Sequence, residues 1–131
     1  MSEESKLLFA NEAFYAAFAT RDFHAMQEAW CKEEPLFCLH PAWPLLVGRQ
    51  AIMESWSSIL SADGPTIGQE GAQAWIREGV GLVLCRERLA GGVLAATNLF
   101  RQEAGRWRLF HHHAAPTRDI ATAEPGEKPL H

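Results

Sequence analysis

The sequence has no electrostatic footprint for nucleic acid or an anionic membrane. Twelve Lys and Arg stand against sixteen Asp and Glu, a formal net charge of −4. The basic residues are scattered, and the one local cluster, Arg86 and Arg88, is interrupted by Glu87. No apolar run approaches membrane-spanning length, and the opening MSEESKLLF lacks the basic-then-apolar design of a secretory signal. Cysteines are few and odd in number. Cys31, Cys38 and Cys85 form no paired motif, which argues against a disulfide framework and for reduced thiols buried as small hydrophobes. Internal repeats, domain linkers, a nucleotide-binding glycine loop, a nucleophile elbow and an EF-hand pattern are all missing. The expectation is a soluble cytoplasmic domain with no nucleic-acid or membrane partner.

What is present suits one domain with one core: 131 residues, 47% hydrophobic and 21% charged. Leu7, Ala10, Phe14 and Ala17, flanked by Leu8, Tyr15 and Phe18, repeat at helical spacing, with Ser5 placed to cap the first turn. TRD at 20–22 breaks that helix. Asp22 can cap a second helix carrying Phe23, Met26 and Trp30 on one stripe. PLFCLH reads as a short strand with Leu36, Cys38 and His40 on one face and Phe37 and Leu39 on the other. A third helix is expected over residues 49–60, burying Ile52, Met53, Trp56, Ile59 and Leu60.

Four strands then follow, broken at REG, GG and EAGR, which suit hairpins. Helices first and hairpin-linked strands afterwards predict an α+β fold, with a curved antiparallel sheet wrapped around three N-terminal helices as a cone with an internal pocket. The folded domain is expected to span residues 1–117. Residues 118–131, rich in Pro, Gly and charge, are expected to be a flexible tail.

Candidate chemistry gathers at two places. His40 ends an apolar run and is followed by Pro41, Trp43 and Pro44, a rigid segment whose indole can wall or cover a pocket. An imidazole titrates near neutrality, so His40 can serve as a general base or orient a ligand. In HHHAAP, strand alternation sends His111 and His113 to one face and His112 to the other. If Arg108, Phe110 and His112 share the concave face, His112 looks across the mouth at His40. Asn98, inside the apolar strand ATNLF, needs hydrogen-bond partners wherever it is buried. Phe14, Phe18, Met53 and Phe110 are the expected apolar lining. His111 and His113 could supply two zinc ligands, with Cys85 or Glu87 on a neighbouring strand. Two are not enough and no spacing demands the rest, so neither metal nor cofactor is expected.

Three separated segments, AFYAAFATRDFHAMQEAW, HPAWPLLVGRQAI and ATNLFRQEAGRWRLFHHHAAP, resemble in order and spacing the SnoaL-like branch of the nuclear transport factor 2-like superfamily, over residues 7–116. That superfamily includes ketosteroid isomerases, polyketide cyclases, limonene epoxide hydrolases, dehydratases and the association domain of calcium/calmodulin-dependent protein kinase. The resemblance implies a cone fold and a homodimer formed through the sheet. It also implies a pocket for a small hydrophobic or carbonyl-containing molecule. Against the ketosteroid isomerases, His40 before Pro41 falls at the aspartate base, and Asn98 falls at the second acid. Phe14 takes the position of the first-helix tyrosine, and Tyr15 lies one residue on, turned by about 100°.

The resemblance for His40 and Asn98, and strand alternation for His112, make these three the expected catalytic or orienting groups of a site. Phe14, Tyr15, Phe18, Trp43, Met53 and Phe110 are implied around its ligand. The leading expectation is a small-molecule binding domain. The alternatives are an isomerase, cyclase or dehydratase with His40 as base, and an oligomerisation module resembling a kinase association domain.

Overall fold

The computed structural model describes residues 1–65 and 67–118. The expected tail thus lies, from residue 119 onward, outside the described residues. Helix α1 (Glu3–Ala19) is capped by Ser2, whose Oγ accepts from the Ser5 amide at 3.1 Å, so the cap sits three residues before the expected one. Its buried stripe is Leu7, Asn11, Phe14 and Tyr15, spaced to face the sheet. Helix α2 (Phe23–Ala29) begins at Asp22, whose carboxylate accepts from the Ala25 amide at 3.0 Å.

Trp30 is not part of the helical stripe expected for it. Its backbone is extended, forms a bridge to Leu109, and lets the Cys31 amide donate to the Leu109 carbonyl at 2.8 Å. The chain leaves the helix early because this buries the Trp30 ring against Phe14, with ring centres 6.3 Å apart.

Strand β1 (Phe37–Leu39) and the two-residue β2 (Leu46–Val47) precede helix α3 (Arg49–Ser61). Strands β3 (Gly68–Arg77), β4 (Val80–Leu89), β5 (Gly92–Glu103) and β6 (Arg106–Thr117) complete one curved, six-stranded sheet in the order β2-β1-β6-β5-β4-β3. Two hairpins turn at Glu78–Gly79 (φ 51° and 80°) and Ala104–Gly105 (φ 51° and 78°), the paired left-handed residues that match the strand twist.

The sheet is mixed, where an antiparallel one was expected: β1 pairs with β6 in parallel, Cys38 beside His112. No hairpin joins these two strands, so no turn dictates their relative direction.

The inner face meets the helices. Gly81 sits directly beneath Leu7, where a Cβ would come within 2.8 Å of both methyl carbons. Phe14, Trp30, Trp56, Phe100 and Leu109 fill the centre of the core. On the outer face one lateral row crosses all six strands by register: Val47, Phe37, His111, Leu99, Leu82 and Trp75.

Two irregularities bend the sheet. Strand β3 bulges between Glu70 and Gln73, with Gly71 at φ 67°. Between β5 and β6, Leu99 opposes His111 while Phe100 opposes Leu109, leaving Phe110 as the extra residue. Among the described residues no helix is long and apolar enough to cross a membrane.

Candidate functional site

The β6 bulge decides which histidine enters the core. Strict alternation would have placed Phe110 and His112 together. With one residue inserted, Leu109 and His112 are buried and Phe110 is left half-buried, under the Arg101 guanidinium 5.2 Å from its ring centre. Phe110, expected in the interior lining, thus packs against the core from a half-buried position. His112 is where it was expected, its ring 6.3 Å from that of His40.

Around His112 lies a polar cluster that four elements build. From β5, Asn98 is directly opposite His112, and His112 Nδ1 donates to Asn98 Oδ1 at 2.6 Å. The Asn98 amide nitrogen donates to Asn11 Oδ1 at 2.9 Å and to the Tyr15 hydroxyl at 3.1 Å, both on α1. Tyr15 in turn donates to Glu87 Oε2 on β4 at 2.6 Å. Because Asn98 Oδ1 can only accept, the His112 proton sits on Nδ1. That leaves Nε2 bare, 3.8 Å from Glu87 Oε2.

The electrostatics of this cluster follow from burial. Burial raises the Glu87 carboxyl above the usual range against the opposing pull of the Tyr15 hydroxyl. It lowers the His112 imidazole to about 3, with the neighbouring histidines adding to the effect. Both shifts favour the neutral form of the group concerned. Burial first, then the nearby Glu87, raises the Tyr15 hydroxyl, which remains a donor.

His40, just past the end of β1, is held by α3. The Ser55 hydroxyl donates to the Ile52 carbonyl at 2.7 Å, so its oxygen accepts from His40 Nε2 at 2.9 Å. This fixes the tautomer and leaves His40 Nδ1 as an acceptor. Desolvation lowers this imidazole to about 4, so it is neutral near pH 7. Trp56 stands edge-on to it at 4.8 Å, and Trp43 covers it from the solvent side at 5.0 Å. Trp43 is 39% exposed and sits on a segment where Ala42 has φ 65°.

The Trp56 indole is almost completely buried, yet its Nε1–H has no hydrogen-bond partner, and the same holds for Trp30. Phe14 bridges the two halves of the cluster, 5.1 Å from His112 and 5.5 Å from Trp56. Phe18 packs on Trp56 at 5.2 Å, and Met53 is buried on the same helix as Trp56.

The structure therefore brings His40, Asn98, His112, Tyr15, Phe14, Trp43 and Phe18 into one neighbourhood. Tyr15 takes part directly although Phe14 holds the aligned position, because Asn98 and Glu87 both reach toward its side of α1. Sequence reasoning missed Asn11, Ser55 and Glu87 as members. Their signals were parity and stripe: Glu87 follows inward Val83 and Cys85 on alternate positions, and Asn11 lies between Leu7 and Tyr15 at steps of four. The possible zinc set is not assembled. His111 and His113 lie on the outer face with rings 6.4 Å apart, and Cys85 and Glu87 point inward. Among the described residues no group of three or more His, Cys, Asp or Glu is placed to hold a metal ion.

Comparison with known proteins places this architecture. An Arabidopsis thaliana F-box protein, SKIP8, is 24% identical over 112 residues, covering 83% of this chain; the chain spans about half (48%) of that relative's length. A candidate dehydratase of the NTF2-like family from Streptomyces avermitilis superposes with a TM-score of 0.78 at 26% identity, over 86% of this chain and 95% of its own. A candidate calcium/calmodulin-dependent protein kinase type II association domain from Thiobacillus denitrificans gives 0.67 at 31% identity, over 83% and 93%. The SnoaL-like domain profile matches residues 8–118. With three helices on a curved six-stranded sheet and that match over most of its length, the chain belongs to the SnoaL-like family of the NTF2-like superfamily.

Proposed function

We propose that this chain binds a small, mostly apolar molecule carrying a carbonyl or hydroxyl group beside His40, in space that opens when Trp43 swings away from the filled interior. The observation that carries this reading is the buried Trp56 Nε1–H, which donates to nothing, on a ring edge-on to His40, whose Nδ1 is left as an acceptor with only the weak Cys38 thiol near it, at 3.9 Å. A ligand oxygen taking the Trp56 proton removes the cost of an unmade buried hydrogen bond, which is of order 1–3 kcal/mol. Phe14, Phe18 and Met53 supply apolar contact. Trp43 is the residue that moves to admit the ligand. The polar cluster of Asn98, His112, Tyr15 and Glu87 sets the orientation behind it.

The test is calorimetric titration with a panel of conjugated carbonyl compounds. Saturable binding is expected, weakened about tenfold or more in Trp56→Phe and lost in His40→Ala with the fold intact. Failure of every compound, or binding unaffected by both substitutions, overturns the proposal.

A second reading is an isomerase, cyclase or dehydratase with His40 Nδ1 as general base. The neutral state of that imidazole supports it, as does the likeness to a candidate dehydratase. Proton exchange α to the carbonyl of a bound ligand, absent in His40→Gln, distinguishes catalysis from binding alone.

The outer row from Val47 to Trp75 is proposed as the contact between two copies of the chain. The likeness to an association domain and the exposure of Trp75 (48%) and Leu84 (39%) support this reading.

A further inference from the structure

A concavity lies on the opposite side of α1 from the polar cluster. Helices α1 and α2 face each other there with alanines, Ala10 and Ala13 against Ala25 and Ala29, and side chains this small leave the interhelical groove unfilled. The tip of the β5–β6 hairpin closes one end with Trp107, and Phe9, 64% exposed, forms an outer wall. The cleft measures about 380 Å³. That is within the range of small-molecule sites and holds an aromatic ligand of roughly a dozen heavy atoms.

Its charges are not equivalent. Glu28 is paired with Arg108 at 3.2 Å, and Lys6 is paired with Glu3 at 3.1 Å. Glu3 also accepts the Trp107 indole proton at 3.2 Å, so the ring is held in place with its donor already used. Arg106, which lines the cleft from the hairpin, makes no ion pair or side-chain hydrogen bond with any described residue. The cleft therefore offers apolar walls, one fixed indole and one unspent guanidinium, whose planar fork matches a carboxylate.

We infer that this cleft is a second ligand site, separate from the interior one, and that it takes an aryl carboxylate: the ring between Phe9, the alanines and Trp107, the carboxylate on Arg106. Neutral apolar molecules fit the same walls but leave the guanidinium unused, so charge supplies the selectivity.

The probes are 2-naphthylacetate and its neutral amide, followed by the indole N–H resonances of the full chain. The carboxylate is expected to shift the Trp107 resonance saturably and to bind about fivefold tighter than the amide. Arg106→Ala should make the two probes equal. Ala13→Leu should abolish both, since it grows a good helix former into the cleft from an exposed position. Absence of binding, equal affinity for both probes in the unmodified chain, or binding that survives Ala13→Leu overturns the inference. So does a shift confined to the Trp43 or Trp56 resonance. The outcome is independent of whether the interior site binds carbonyl compounds.

Discussion

His112 and Asn98 face each other across β5 and β6 and share a 2.6 Å hydrogen bond in the interior of the protein. Asn98 is the hub of the cluster, because its amide also satisfies Asn11 and Tyr15. Asn98→Leu keeps the branched outline of the side chain, with bulkier ends, but strands His112 Nδ1 and Asn11 Oδ1 without partners. It is expected to cost about 2–4 kcal/mol, read as a lowered urea midpoint at unchanged slope. A loss under 1 kcal/mol would show that the cluster is not a connected network.

The two buried imidazoles make stability depend on pH in a definite direction. Both are protonated near 6.5 when unfolded and resist protonation in the fold, His40 to about 4 and His112 to about 3. Their contribution is complete above about 6.5 and is lost as pH falls through the folded values. Glu87 works in the opposite sense, because its raised carboxyl favours the fold below the ordinary carboxylate range and weakens it as pH rises. His40→Gln should flatten the loss between pH 6.5 and 4 by up to about 3 kcal/mol, measured by denaturation at stepped pH. An unchanged profile would place His40 in contact with water.

Gly81 and Leu7 form the closest approach of helix to sheet. Gly81→Ala is expected to destabilise the protein by about 1–2 kcal/mol, since the flexible end of Leu7 must shift to make room. Combined with Leu7→Val, the loss should be less than the two single losses together, a coupling that a double-mutant cycle reads directly.

Charge placed on the outer face, in that row and beside it, should separate the proposed dimer. Trp75→Glu with Leu84→Glu is expected to turn a dimeric species into a folded monomer in sedimentation equilibrium. A monomer in the unmodified chain would remove the sheet contact from the proposal.

Much of this architecture was legible beforehand because it rests on local patterns. Asp22 and the two turns ending in Gly79 and Gly105 are fixed by the short-range geometry of caps and hairpins. The inward set Leu36, Cys38 and His40 follows from strand alternation. Trp30 was misplaced because a helical stripe and a following buried extended residue look alike in sequence, and only contact with Leu109 selects the second. Phe110 was misplaced because a bulge shifts alternation by one, and nothing local in RWRLFHHH marks where the extra residue falls.

By itself, the amino-acid order determined that three amphipathic helices would cover a hairpin-linked sheet, since periods of 3.6 and 2 are written into the positions of the apolar residues. The tertiary structure alone decided that Glu87, Tyr15, Asn11, Asn98 and His112 share protons, that β1 runs parallel to β6, and that Trp56 keeps a spare donor. Those outcomes depend on residues as far as 87 positions apart meeting in a dry interior. There each polar group must find a partner or pay for its desolvation, and no local pattern encodes which partner it finds.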